Sequence, residues 1–352
     1  MKTRATELFG CRYPVLLSGM TGISNPELVA AVCNAGGLGI LATADLNAEQ
    51  TRSAITEIRT RTDAPFGANV PLIIPGAEEK IAILIEETVS VVNYTLGKGD
   101  RLIAAVHQYG GHAVATVTNA SHALSAQKSG VDALIVTGHE AAAHGGEVTS
   151  LVLIPQIADS VSVPVIAAGG FADGRGLAAA LALGADGIAM GTRFMNTKES
   201  PAHANMKTMS NERSTSDTIY TDKLDGLPCR AAISPGATAL IKDRLYLLKA
   251  VANSRHAARA YGFPWIKAVA GILLAGATRS RQLARMANAY KAITLAIDEG
   301  DTEKGLFLMG QVTGLMKETL SVETVMKNVI TEACVAQDML TKKMGQRNGD
   351  SG

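Results

Sequence analysis

The chain is poor in aromatic residues: 7 Tyr, 6 Phe and 1 Trp make up 4% of its 352 positions. It also has no charge excess, with 33 Lys+Arg against 32 Asp+Glu and a formal net charge of +1. That balance excludes a protein gripping nucleic acid through a basic face, where phosphate neutralisation carries the binding. The four cysteines, Cys11, Cys33, Cys229 and Cys334, form no CxxC pair. Their spacing speaks against a zinc site or a disulfide frame, and for a reducing compartment. MKTRATELFG, at the start, lacks the apolar core of a signal peptide. The longest apolar stretch, 265–277, contains Lys267 and is too short to span a bilayer. A cytoplasmic protein without a membrane partner is expected, either monomer or homodimer.

What is present is apolar and glycine-rich: 47% hydrophobic residues and 35 Gly. Few aromatics among much Ala, Gly, Val, Ile and Leu suits a parallel sheet buried between helices. Apolar runs at 15–19, 37–43, 66–70, 89–94, 112–118, 131–138, 163–170 and 186–192 alternate with helical patterns. Eight such runs match the (β/α)8 barrel count. A doubly wound open sheet also fits alternation, and periodicity alone does not separate the two. Residues 197–225 are polar with little regular pattern, and 237–300 read as wholly helical. The expected organisation is a barrel over 1–225, completed by 305–341, a helical lid or substrate domain over 226–304, and a flexible tail over 342–352.

Ten glycines fall within the 54 residues from Gly138 to Gly191. They gather at the ends of the last three runs, on the face where barrel enzymes keep their sites. Gly169-Gly170 and Gly191-Thr192 each end a run just ahead of a helix. Bare backbone N–H groups there suit a phosphate, although ordinary tight turns would look the same. Gly37-Leu-Gly39-Ile-Leu-Ala42 matches G-x-G-x-x-A in letters only. Its glycines open a strand, whereas the dinucleotide fingerprint follows a strand and opens a helix. His139-Glu140-Ala-Ala-Ala-His144 is no HExxH site, because its histidines are five apart in a glycine-rich loop. What remains is an imidazole-bearing loop at the active face, fit for hydrogen bonding or proton exchange near neutral pH.

The segments PVLLSGMTGISNPELVAAVCNAGGLG (14–39), FGANV (66–70), GHEAAAHGGE (138–147), PVIAAGGFADGRGLAAALALGADGIAMGTRF (164–194) and GQVTGL (310–315) together resemble the nitronate monooxygenase family. These are FMN-dependent barrels, and the family also holds NAD(P)H:quinone reductases and flavin enoyl-acyl carrier protein reductases. The resemblance implies FMN as cofactor. It places Gly19, Met20 and Thr21 along the flavin ring and Asn69 near it. Thr116 stands where the family has a flavin contact that is often Lys. Ala168, Gly169 and Gly170 match one phosphate-binding turn, and Gly191 with Thr192 the other. Gln311 falls in a segment returning to the flavin edge, and His144 matches the catalytic histidine. Three positions depart from the pattern. Ala142 and Ala143 replace a Gly pair before His144, Thr137 stands where Gln, Glu or Asp is usual, and Leu17 replaces a common Gln. The leading expectation is oxidation of small alkyl nitronates with O2 to carbonyl compounds and nitrite. The alternative is NAD(P)H-dependent reduction of quinones or enoyl thioesters.

Overall fold

The computed structural model describes residues 1–142, 144–260, 264–274 and 276–345. Eight strands lie at the eight apolar runs: β1 (Val15–Leu17), β2 (Ile40–Ala42), β3 (Gly67–Pro71), β4 (Val91–Thr95), β5 (His112–Val117), β6 (Ala133–Thr137), β7 (Val165–Ala168) and β8 (Gly187–Met190). All pair in parallel with their sequence neighbours from β2 to β8, and β8 pairs with β1. Leu38 closes the ring. Its carbonyl accepts from the Leu17 N–H at 2.9 Å, and its own N–H donates to the Val15 carbonyl at 3.1 Å. The sheet is therefore the barrel rather than the open alternative.

Closure depends on glycines. A Cβ on Gly37 would stand 2.6 Å from the Val15 carbonyl oxygen, and one on Gly39 2.4 Å from that of Val29. The Gly-Leu-Gly triplet is thus a packing device and no nucleotide fingerprint.

A helix precedes the barrel, α1 (Arg4–Phe9), and seven sit between its strands: α2 (Pro26–Asn34), α3 (Ala48–Arg61), α4 (Ala77–Glu86), α5 (Asp100–Gln108), α6 (Ala120–Lys128), α7 (Ser150–Ala158) and α8 (Gly174–Ala182). Several starts are written in the sequence. Asn25 caps α2 ahead of Pro26, Asn47 and Gln50 form a capping box on α3, and the Asp173 carboxylate accepts from Gly176 N–H on α8. One core packs the outer strand faces against these helices. A second, inside the barrel, joins Leu16, Ile40, Val114, Ile135 and Ile166 to Ala5 and Phe9 of α1. That helix plugs the end opposite the catalytic face. Arg4 clamps it with two hydrogen bonds, 2.8 and 2.7 Å, to the Asp186 carboxylate just before β8.

The polar stretch after β8 is more ordered than its pattern implies. It holds α9 (Thr192–Met195), α10 (Ala204–Glu212) and β9 (Thr218–Thr221), which pairs antiparallel with β10 (Cys229–Ala232). The expected helical region follows as α11 (Pro235–Lys242), α12 (Tyr246–Ala260), α13 (Trp265–Leu274) and α14 (Ala277–Thr294). At its end α14 widens into one π turn, Leu295–Glu299. The chain then returns to the barrel mouth, and α15 (Val322–Met344) lies along α8. Helix therefore runs into the start of the predicted flexible tail, whose residues 346–352 lie outside the described ones. Among the described residues no helix is long and apolar enough to cross a membrane.

The contact between α8 and α15 is backbone on backbone: a Cβ on Gly174 would stand 2.3 Å from both Ala333 N and the Val329 carbonyl oxygen. Gly174→Ala is expected to lose about 1–3 kcal/mol of stability through this overpacking, read as a lower urea midpoint.

Candidate active site

The site is assembled at the C-terminal ends of the barrel strands. On one side, β7 and β8 pair through Ala168 and Ala189. Gly169 and Gly170 follow with φ of 89° and 86°, and Gly191 leads into α9. Both β7 glycines use the left-handed region that side chains disfavour. Gly169 has no room either, since a Cβ there would lie 3.0 Å from the Gly138 carbonyl oxygen. Thr192 is buried, and its hydroxyl accepts from Gly310 N–H at 3.0 Å. Gln311 N–H donates to the Glu140 carbonyl at 2.9 Å, so the C-terminal Gly-Gln segment is fastened beside both turns.

Across the mouth, β3, β4 and β5 present a polar ladder. Asn69 Nδ2 donates to Asn93 Oδ1 at 2.6 Å, and Asn93 Nδ2 donates to Thr116 Oγ1 at 3.0 Å. Both asparagines are buried. Asn69 and Thr116 are the two members expected from the sequence, and Asn93, which connects them, carried no signal there. The loop after β1 crosses above this ladder, where Gly19 is obligatory: its Cβ would stand 2.5 Å from Asn69 Cβ. Ser24 braces that loop, its hydroxyl donating to the Ser18 carbonyl at 2.7 Å and accepting from Met20 N–H at 3.0 Å. Met20 reaches over to the β8 turn, its Sδ 3.3 Å from a Cβ placed on Gly191, while Thr21 is exposed. Thr137 ends β6 half-buried.

The loop from Gly138 to Thr149 carries His144. Glu140 is a brace within it, its carboxylate accepting from Ser150 N–H at 3.0 Å and lying 2.8 Å from Ser150 Oγ. From the other side the β9–β10 hairpin grips the loop. Arg230 donates to the His139 carbonyl at 3.0 and 3.2 Å, and Tyr220 Oη donates to the Gly145 carbonyl at 2.9 Å. Of the two alanines that depart from the family pattern, Ala143 lies outside the described residues, and Ala142 N sits 3.1 Å from a Cβ on Gly310.

The hairpin also supplies the group the sequence did not reveal. His144 Nε2 lies 2.7 Å from Asp225 Oδ2, the aspartate side chain being 17% exposed. Burial pushes the Asp225 carboxyl upward. The hydrogen bond and charge of His144, the Leu227 N–H and the Cys229 thiol outweigh burial and hold it below the usual carboxylate range. The Cys229 thiol is in turn raised by burial and by the aspartate's charge. An ionised, partly desolvated carboxylate behind an imidazole orients the ring and stabilises its protonated form. With Nε2 engaged, proton exchange with a ligand falls to Nδ1. The sequence held one faint sign of this arrangement: Asp225-Gly226 between two short β-like runs is a turn signal. Gly226 does adopt a φ of 91°.

A strand-end glycine cradle facing a buried amide ladder, with a histidine loop between, is the architecture of a flavin-dependent barrel oxidoreductase. The sequence model of the nitronate monooxygenase family matches residues 2–77 and 72–332, and the chain belongs to that family. It is 36% identical over 345 residues to "(3aS,4S,5R,7aS)-5-hydroxy-7a-methyl-1-oxo-octahydro-1H-indene-4-carboxyl-CoA dehydrogenase" of Rhodococcus jostii, covering 97% of this chain and 98% of that protein. A probable nitronate monooxygenase of Staphylococcus saprophyticus is 32% identical over 277 residues, covering 65% of this chain and 78% of that one. Among solved structures, FabK of Thermotoga maritima is similar with a TM-score of 0.82 and 33% identity, over 97% of this chain and 99% of that one. The family implies a flavin, and the residues present fit one. The cradle has no side chain at Gly169, Gly170 and Gly191, and the Asn69–Asn93–Thr116 ladder offers amide and hydroxyl groups at the opposite rim.

Two substitutions test this construction. Gly169→Ala puts a side chain at a left-handed position without space, and the purified protein is expected to carry less than about half the flavin of the parent. Asp225→Asn keeps a hydrogen-bond acceptor on His144 and removes its charge. Turnover (kcat) should then fall about tenfold with flavin content unchanged. An unchanged kcat would remove Asp225 from its positioning role.

Proposed function

We propose that the protein is an FMN-dependent oxidoreductase acting on acyl-CoA-type thioesters, at the carbons next to the thioester carbonyl. The observation that carries this reading is the His144–Asp225 pair. A nitronate arrives already deprotonated and needs a hydrogen-bond donor. Exchange of a proton on the carbon α to a thioester needs a base whose protonated form is stabilised, which an ionised Asp225 behind His144 provides. The CoA dehydrogenase of R. jostii, similar along the full length, supports the same substrate class.

FMN, when bound, supplies the two-electron redox chemistry. The residues of the chain bind and orient. Gly169, Gly170, Gly191 and Thr192 would hold its phosphate. Asn69, Thr116 and Thr137 would meet the ring from the strand ends, with Gly19, Met20 and Thr21 above and Gln311 at its edge. His144 takes or returns the α-proton, and Asp225 stabilises the imidazolium. In this reading the barrel, 1–225 with 305–341, carries the cofactor, and 226–304 faces the substrate. The protein works in the cytoplasm as a monomer or homodimer, with Cys11, Cys33, Cys229 and Cys334 all as free thiols.

A second reading, oxidation of small alkyl nitronates by O2, has its own support in the staphylococcal relative. There His144 would donate to the nitro oxygens.

The experiment is a comparison on FMN-loaded enzyme: anaerobic flavin bleaching by a saturated acyl-CoA, NAD(P)H oxidation with an enoyl-CoA, and O2 uptake with an alkyl nitronate. Response to a CoA ester is expected, and His144→Ala should keep FMN while losing at least about a hundredfold in turnover. Rapid O2 uptake with the nitronate and silence toward both CoA esters would transfer the assignment to the second reading.

A further inference from the structure

The segment from Ser234 to Ile297 is charged unlike the rest of the chain. It holds ten Lys and Arg against one acidic residue, Asp243. Subtracted from totals of 33 and 32, this leaves 23 basic and 31 acidic residues everywhere else. A near-neutral chain is thus divided into a strongly positive helical segment and a negative remainder. Such a division concentrates anionic ligands at one place.

That place adjoins His144. A Cβ on Gly226 would stand 3.0 Å from Gln282 Cα, so α14 lies directly on the turn that follows Asp225. Arg285 donates to the Lys223 carbonyl of the same turn, and its guanidinium lies 4.7 Å from the Tyr246 ring. Arg281 lies at i, i+4 to Arg285, and Arg279 at i, i+3 to Gln282. Arg281 and Arg285 therefore share one edge of the side of α14 that meets the Asp225 turn, and Arg279, two positions from Arg281, borders the other edge. Arg279 and Arg281 are exposed, and among the described residues neither forms an ion pair. Planar guanidinium groups pair with phosphate through two hydrogen bonds at once.

Resting on the thioester reading above, we propose that this segment is the binding site for the nucleotide end of CoA, its 3′-phosphate and diphosphate held by the arginines along the two edges of α14 that border the Asp225 turn. A thioester that must reach His144 while trailing a polyanionic handle needs a positive surface beginning at the Asp225 turn and leading away from it. The arginines on either side of Gln282, the residue packed against Gly226, have that position. The similarity along the full length to the R. jostii CoA dehydrogenase favours CoA over an acidic carrier protein as the source of that handle.

The molecule contains its own reporter. Its single tryptophan, Trp265, sits on α13 with Nε1 donating to Ser254 Oγ at 3.0 Å, and the Arg255 guanidinium lies 4.3 Å over its ring. Free CoA and dephospho-CoA would be titrated into FMN-loaded enzyme and followed by calorimetry and Trp265 fluorescence. CoA should bind about tenfold more tightly than dephospho-CoA, with affinity falling as salt rises. The double variant Arg279→Glu, Arg281→Glu should lose at least about tenfold on CoA and erase the difference, while retaining FMN and its far-UV spectrum. If it misfolds, Arg279→Gln with Arg281→Gln should show the same loss in smaller measure. Equal affinity for the two nucleotides, indifference to the arginine changes, or binding of an acyl carrier protein without binding of CoA would overturn the site. CoA binding as described without turnover of any CoA ester would leave the site standing and end the thioester reading. Turnover of CoA esters with an unchanged KM in the arginine variants would do the reverse.

Discussion

The barrel closes because two backbone strands can touch where no side chain intervenes. Leu38 bridges the first and second strands only because Gly37 and Gly39 let carbonyl oxygens approach to distances that a methyl group would occupy. Everything functional hangs on that closure. The glycine turns after β7 and β8 and the amide ladder on β3 to β5 belong to opposite arcs of one ring. Only a closed ring fixes their separation. An open sheet of the same strands would carry the same residues at its end and would set no width between them.

Within the closed ring, the histidine loop is the segment held from most directions. Ser150 ties Glu140 at the start of α7, the Gly310-Gln311 return ties the Glu140 carbonyl, and the β9–β10 hairpin ties His139, His144 and Gly145. Hydrogen bonds to charged groups contribute about 1.5–3 kcal/mol each when buried. The Arg230 and Asp225 bonds therefore outweigh the flexibility of a loop with three glycines. Burial lowers the Arg230 pKa below the usual arginine value, a mark of how far that clamp is withdrawn from water. A rigid imidazole is what a proton exchange at carbon requires, because misplacement by an ångström erodes rate steeply.

The barrel was legible because each of its strands is buried on both faces and therefore reads as a continuous apolar run. The caps were legible for an equally local reason: Asn25, Asn47 and Asp173 sit one residue before helical spacing begins. Asn93 was hidden by the same property that revealed its strand. In a doubly buried strand there is no alternation against which an inward polar residue stands out. The hairpin was hidden because Thr218–Thr221 is half-buried throughout and carries no apolar rhythm. Asp225 lies 81 residues from His144 along the chain, and such a pairing exists only once the hairpin has folded over the barrel mouth. Completion of the barrel by 305–341 was expected, but the grip of Gln311 on the Glu140 carbonyl is backbone chemistry that no residue type announces.

The hairpin takes hold of its loop mainly by carbonyl oxygens, at His139 and Gly145, and by one imidazole. A clasp on the main chain is blind to what the intervening residues are. The hairpin's own hold therefore does not read the letters between Glu140 and His144. It does read their number, since adding or removing one would carry every carbonyl out of reach of its partner. Descent along this lineage should leave the length of the loop alone.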